Sequence, residues 1–264
     1  MVVDLSDYSV QGRLYFIGVY EPELTALLMD LLTPGSVFFD VGANVGYYSL
    51  LAAARGAVVH AFEPHPALAQ QLRRSVALSR SGRRLRVKQA AVGAADGRGE
   101  LFLSPDPAAN GWASLLPLRH LEGGASVRVD IVSLDSYCRL HDVPAVDLVK
   151  LDVEGAEADV ISGAREVLSK LRPRAIICEL SAFDGAPGPR SVIRQLRELG
   201  YCPYDITSAG LGPATDACTV EGTTWQQRNV CFLPRNSTPR RPLGARVSVA
   251  NCTCPSASRE LAAG

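Results

Sequence analysis

Two hydrophobic rhythms alternate along this chain. Short runs of β-forming apolar residues are each followed by a stretch in which apolar residues recur every three or four positions. The run Val37-Phe38-Phe39-Asp40-Val41 is too short for a helix and reads as a buried parallel strand. A turn between Gly42 and Gly46 leads to an apolar helix, Leu50 to Ala54. Val58 to Phe62 is a second strand, and Pro66 opens a helix with Leu68, Leu72 and Val76 on one face. Arg73, Arg74 and Arg80 form its solvated side. Leu85 to Gln89 alternates and reads as a third strand; Val146 to Asp152 and Ala175 to Leu180 are the fourth and fifth. Ala156, Val160, Ile161, Ala164 and Leu168 predict a helix between those two. Ser191 to Leu199 is a helix capped by Gly200, and Tyr201–Ile206 and Asn229–Leu233 are the last strands.

Before the first strand, Glu21-Pro22-Glu23 starts a helix carrying Leu24, Leu27, Leu28 and Leu31, which Pro34-Gly35 stops. Val10 to Tyr20 lacks a clear period and is expected to hold one or two short strands or a flap. Glu100–Leu103 and Val127–Val132 are extra strands around a long irregular piece, 104–126, of a length that is often functional. Alternating strands and helices predict an α/β fold with one doubly wound parallel sheet. We expect one domain over residues 1–235. Residues 1–35 form its N-terminal flap and helix, 99–132 its inserted strands and loop, and 236–264 a loose tail.

Composition narrows the setting. Hydrophobic residues make up 47% of the 264, enough for a full core. Formal net charge is zero, which speaks against a nucleic-acid groove or a basic membrane patch. No run of 18 apolar residues predicts a membrane span. The start, Met1-Val2-Val3-Asp4, lacks the features of a signal peptide, so the cytoplasm is the default location. Seven cysteines without a Cys-x-x-Cys pair support neither a zinc ribbon nor a redox motif. Cys252 and Cys254 lie in the tail with no other ligand types clustered nearby.

The glycine turn says which nucleotide would suit. Strand, acid, glycine turn, helix is how an α/β sheet opens a ligand crevice at its carboxyl edge. A dinucleotide fingerprint fails at Asn44 and Tyr47, and no Gly-Lys-Ser/Thr phosphate loop is present. Asp40, two residues before Gly42, would repel a pyrophosphate. A ligand with a cationic group and no phosphate fits better, and S-adenosylmethionine is such a ligand. An ordinary strand-turn-helix without ligand is the alternative. Glu63 falls about 20 residues after the turn, where such sheets place a carboxylate on ribose hydroxyls. Ala90-Ala91-Val92-Gly93 leaves room for a flat adenine.

These residues carry a family resemblance. Asp40-Val-Gly-Ala-Asn-Val-Gly-Tyr-Tyr-Ser49, Phe62-Glu63-Pro64, Ala91-Val92-Gly93, Ser133-Leu134-Asp135 and Lys150-Leu-Asp-Val-Glu-Gly-Ala-Glu157 resemble the FkbM-type methyltransferases. So does the late Asn229-Val-Cys-Phe-Leu-Pro234. The resemblance spans roughly residues 10–235 and implies a class I methyltransferase (Rossmann-like) fold. That fold is a mostly parallel seven-stranded sheet with an antiparallel last strand. It also implies S-adenosylmethionine as methyl donor and hydroxyls, or carbamoyl or amide nitrogens, on sugars and natural products as acceptors. Asp40, Gly42, Asn44 and Glu63 match the family's donor pattern.

The expected donor site comprises Asp40, Gly42, Ala43, Asn44, Gly46, Tyr48, Ser49, Glu63, Pro64, Ala91, Val92 and Asp152. Asn110, Trp112, Ser114 and Glu154 are expected on the acceptor side, with residues 104–126 closing over the acceptor. An alcohol must lose its proton, so Asp152, Glu154 and His120 are the catalytic candidates. If strand geometry persists through Val153, both carboxylates face the crevice; the alternative is that Glu154 caps the next helix. His60 is expected in the core, His65 as a helix cap, and His141 without a role. No metal is expected, although one shared by Asp152 and Glu154 is an alternative. The partner is a small-molecule acceptor rather than nucleic acid or membrane, and a homodimer is left open. O-methylation leads; N-methylation and a non-catalytic donor-binding module are alternatives. The glycine pattern disfavours a dehydrogenase.

Overall fold

The computed structural model describes residues 1–7, 10–109, 111–181, 188–212 and 228–237. Asn110 and the tail from residue 238, with Cys252 and Cys254, lie outside them. The chain opens with α1 (Gln11–Ile17), α2 (Pro22–Leu31), β1 (Val37–Val41) and α3 (Tyr47–Ala54). Then come β2 (Val58–Phe62), α4 (Pro66–Leu78) and β3 (Leu85–Lys88). A second group follows: β4 (Ala91–Val92), β5 (Gly97–Leu103), β6 (Ala113–Ser114), β7 (Ser126–Val132) and α5 (Leu134–Leu140). Next are β8 (Leu148–Leu151), α6 (Glu157–Ser162) and β9 (Ala175–Leu180). The last elements are α7 (Gly188–Glu198), β10 (Tyr201–Thr207), β11 (Gly210–Leu211) and β12 (Arg228–Pro234).

The main sheet runs β11-β10-β12-β9-β8-β1-β2-β3. β3, β2, β1, β8 and β9 pair in parallel, while β12 lies antiparallel between β9 and β10. This is the expected sheet of seven strands; the two-residue β11 adds an eighth at its edge. Strand order reverses between β1 and β8, which opens a crevice beyond their carboxyl ends. A four-stranded sheet, β4-β7-β5-β6, stands beside it. It accounts for the extra strands of the insert and gives the irregular piece a strand of its own.

Phe38 and Phe39 show why the sheet is buried on both sides. Successive side chains point to opposite faces. Phe38 packs with Leu24, Leu28 and Ala52 from α2 and α3. Phe39 packs with Tyr137, Ile161 and Ile193 from α5, α6 and α7. His60 is buried beside Phe39 and bonded to the Tyr137 hydroxyl at 2.8 Å; His65 caps α4 by accepting from the Ala67 N–H.

One element differs from its sequence reading. Residues 11–17 form a helix rather than the one or two short strands considered. Tyr15-Phe16-Ile17 favour a strand locally, but no sheet edge is offered to them, and all are exposed. Gly18, in the left-handed region at φ 80°, closes the helix through its N–H on the Leu14 carbonyl. Gln11 is buried and bonds Asp4, Asp7 and Gln71.

Candidate active site

A cavity of about 490 Å³ opens at the strand-order reversal. One half is built by the turns after β1 and β2. Gly42 has φ 79°, and a Cβ there would stand 1.8 Å from the Asp152 carbonyl oxygen. The glycine therefore lets the two neighbouring strand ends close up, as well as lining the cavity. Asn44 is left-handed (φ 52°), and its N–H donates to Glu63 Oε2 at 2.7 Å. The His65 N–H donates to Oε1 at 2.8 Å. Burial pushes the Glu63 carboxyl up to about 7, against the pull of these two bonds. Pro64, Leu68, Ala91 and Val92 complete an apolar wall.

Asp40, Ala43, Gly46, Tyr48 and Ser49 are not among the residues lining the cavity. Asp40 sits beneath it, buried, with Oδ2 accepting from the Ser49 hydroxyl at 2.6 Å. Its other oxygen has no hydrogen-bond partner among the described residues, and burial raises its pKa. Gly46 caps α3 at φ 87°, where a Cβ would meet Leu72 at 2.1 Å. Ala43 is core, and Tyr48 holds Glu21 through its hydroxyl. Asp40 and Ser49 thus brace the turn from behind, Ala43 and Gly46 are its buried side, and Tyr48 braces Glu21.

The other half is acidic. Lys150 is buried, with Nζ 2.7 Å from Asp152 Oδ2 and 5.1 Å from the centre of the Tyr48 ring. Burial opposes the ammonium, but Asp152 and Asp40 outweigh it, and the Lys150 pKa rises. Burial likewise opposes ionisation of Asp152, yet Lys150 and a hydrogen bond with Glu179 hold its pKa below the ordinary value.

β8 ends at Leu151, so strand geometry does not carry through Val153. A turn does the work instead, with Glu154 left-handed at φ 52° and Gly155 at φ 99°. The carboxylates of Asp152, Glu154 and Glu179 then converge, with one oxygen of each within 4.8 Å of the others. Burial, then the Asp152 charge, pushes Glu154 up to about 8. Glu154 does not cap α6, which has no side-chain cap among the described residues; Glu157 instead ties the preceding turn, accepting from the N–H groups of Val153 and Gly155 at 3.3 and 3.1 Å.

The insert lines a further side of the cavity. Trp112 lines it and is 47% exposed. Ser114 also lines it, but its hydroxyl is engaged: it donates to the Glu154 carbonyl at 2.7 Å and accepts from the Leu116 N–H at 3.1 Å. His120 is exposed and outside the lining, edge-on to Trp112 at 6.4 Å. Leu118 and Leu121 are buried in this segment, and His120 between them is left at the surface.

Besides several apolar lining residues, the polar Tyr20, Glu21, Lys150, Glu179 and Asn229 were outside the expected set. Glu179 was legible as a strand-end acid and Lys150 as a charge inside an apolar strand. Glu21 was read only as a helix start and Asn229 only as part of the last strand, and Tyr20 carried no site signal. Glu21, left-handed at φ 42°, accepts from the Tyr48 hydroxyl and, at 2.8 Å, from Asn229 Nδ2.

This donor set suits S-adenosylmethionine. An apolar pocket ending in Glu63 matches an adenosine, and Asp152 with its neighbours matches a cationic group. Sheet order and crevice define a class I methyltransferase. The chain belongs to the FkbM methyltransferase family and is an S-adenosylmethionine-dependent methyltransferase: residues 40–203 match the methyltransferase FkbM domain.

It is 31% identical over 197 residues to 31-O-demethyl-FK506 methyltransferase FkbM of Streptomyces tacrolimicus, covering 64% of this chain and 74% of that one. Over 179 residues it is 27% identical to hexuronic acid methyltransferase AglP of Haloferax volcanii, covering 67% and 68%. It is 31% identical over 152 residues to 2-O-methyltransferase NoeI of Sinorhizobium fredii, covering 53% and 61%. The solved methyltransferase FkbM of Methylobacillus flagellatus KT superposes with a TM-score of 0.52 at 17% identity, covering 83% of this chain. That likeness shows the fold, and this chain spans 49% of the solved one. Among the described residues, no helix is long and apolar enough to cross a membrane.

Proposed function

We propose that this enzyme methylates a hydroxyl group on a sugar or natural product, in the cytoplasm and as a step of secondary metabolism. The carboxylate cluster of Asp152, Glu154 and Glu179 carries the reading. When bound, S-adenosylmethionine supplies a methyl group on a positively charged sulfur. Glu63 and the apolar wall hold its adenosine, and Asp152, backed by Lys150, sits by its cation. Glu154 takes the proton from the acceptor hydroxyl as that oxygen gains the methyl group. A base whose pKa lies near the working pH is effective in this role, and Glu154 is pushed up to about 8. A carbamoyl or amide N–H needs a base as much as a hydroxyl does, so the choice of oxygen over nitrogen rests on the names of the relatives. Those names support methyl transfer to such oxygens: FkbM is named for 31-O-demethyl-FK506 and NoeI as a 2-O-methyltransferase, while AglP, named for a hexuronic acid, supports a sugar acceptor but not its charge. The buried thiols of Cys138, Cys178 and Cys231 suit a reducing compartment.

The test is a mass-shift screen with isotope-labelled donor against paired acceptors, each offered as its hydroxyl and its carbamoyl or amide form. Methylated hydroxyls are expected. Transfer confined to nitrogen would overturn the proposal.

A further inference from the structure

Five carboxylates line this cavity, those of Glu21, Glu63, Asp152, Glu154 and Glu179, and among the described residues no lysine, arginine or histidine does. Lys150 lies beneath, directed at Asp152. The donor brings a sulfonium and an ammonium against a single carboxylate, which offsets only part of this charge.

Glu21 stands apart from the adenosine end of the donor, although its charge still reaches Lys150. Glu63 follows β2, whereas Glu21 is bonded to Asn229 on β12, and three strands separate β2 from β12. At ordinary strand spacing that separation is ~19 Å. An adenosine resting on Glu63 therefore leaves the Glu21 end for the acceptor. Glu21 is also held in a costly conformation. Its φ of 42° is left-handed, and its two carboxylate oxygens are pinned by Tyr48 and Asn229, residues 27 and 208 positions away in sequence. Of the positive-φ residues other than glycine, Glu21, Asn44 and Glu154 all line this cavity. Such backbone strain persists where surrounding structure over-determines it, and it concentrates at functional sites.

We infer that the part of the acceptor entering this cavity is uncharged or amine-bearing, never a carboxylate or phosphate, and that Glu21 is the specificity residue that enforces this. The inference rests on the hydroxyl-methylating reading and gives its substrate class: a neutral or amino sugar, or a comparable polyol, rather than a uronic acid. Each Glu21 oxygen keeps a lone pair beside its existing bond and can accept from a hydroxyl or ammonium. An anion there would face Glu21, Glu154 and Glu179 with no cation lining the cavity to meet it. The raised proton affinities of Glu63 and Glu154 already register crowding and burial in this space.

Two measurements test this. The first needs no acceptor. The chain has two tryptophans, so a Trp225→Phe variant leaves Trp112, at the cavity rim, as the sole tryptophan, which is excited selectively over the tyrosines. Its fluorescence is quenched by caesium and by iodide at low salt and pH 8.5, each normalised to free tryptophan amide. Caesium is expected to quench several-fold more strongly, and Glu21→Gln to narrow the difference. Equal quenching, or stronger quenching by iodide, would overturn the charge rule.

The second compares turnover of a methyl glucoside, the matching uronic acid and the amino sugar with labelled donor. At least a tenfold preference in kcat/KM for the neutral and amino forms is expected. Glu21→Gln, confirmed to fold by donor binding, should reduce that ratio. A uronic acid used as well as the glucoside refutes the inference and leaves hydroxyl methylation standing. A wide acceptor screen yielding no methylated hydroxyl refutes the functional reading, while quenching still decides the charge rule.

Discussion

Replacing Glu154 with glutamine keeps the shape of the side chain and removes its ability to take a proton. Glu154 occupies a left-handed turn, its carbonyl bonded by Ser114 and its carboxylate grouped with Asp152 and Glu179. Burial and the Asp152 charge raise its pKa from 4.5 to about 8. As a base it must be ionised, so in the free enzyme about a tenth is active at pH 7 and about a hundredth at pH 6. The acceptor kcat/KM should rise about ninefold from pH 6 to 7 and about fivefold from pH 7 to 8, levelling off above about pH 9. Glu154→Gln should lower turnover by about a hundredfold or more and leave the residual rate flat over this range. Donor affinity, measured by calorimetry in the same buffers, should change far less than turnover. The assay is methyl transfer to an acceptor found in the mass-shift screen, followed from pH 5.5 to 9.5. A wild-type profile flat between pH 6 and 8, or a variant working near the wild-type rate, would refute Glu154 as the base.

Glu63→Ala removes a charged acceptor expected to hold the donor ribose. Hydrogen bonds to charged groups contribute about 1.5–3 kcal/mol each, so donor affinity should fall at least tenfold by calorimetry. Unchanged affinity in a folded variant would disprove the ribose role. Ser114→Ala breaks the tie between the insert and the Glu154 turn. A typical hydrogen bond contributes about 1 kcal/mol, so turnover should drop roughly fivefold or more with donor affinity little changed, and Ser114→Thr should restore part of it. His60 is buried against Tyr137, and burial lowers its pKa from 6.5 to about 4. The unfolded chain therefore binds the extra proton first, and stability is lost as pH falls from about 6.5 towards 4. In denaturant titrations the stability advantage of wild type over His60→Gln should shrink across that window; an advantage independent of pH would contradict it.

Local patterning was enough for much of this protein. β1, β2, β8 and β9 are legible because a strand buried on both faces needs an unbroken apolar run, and such a run is visible without knowing its partners. The turn at Gly42 and the acids at 63, 152 and 179 are legible because strand ends carry them at the edge where parallel sheets open. The pairing of Asp152 with Glu154 was anticipated for the wrong reason. Two-residue alternation suggested a shared face, whereas a left-handed turn brings the carboxylates together after the strand has ended.

Contacts across long sequence separations were not legible. Nothing near Glu21 announces Asn229, 208 residues on, because their bond exists only once β12 inserts antiparallel beside β9 and α2 packs over the sheet. Ser114 looks like any loop serine until the insert folds down and its hydroxyl meets a main-chain carbonyl 40 residues away. Residues 11–17 carry strand-forming side chains but fold as a helix, because a strand needs a partner edge and a helix completes its bonds locally. The sequence by itself determined the sheet, its acidic rim and the class of donor, since each follows from residues close together in the chain. Only the tertiary structure decided which acids share the cavity, how their charges shift one another and what supports them. Those properties depend on distance through space and on exclusion from water, which chain order does not encode.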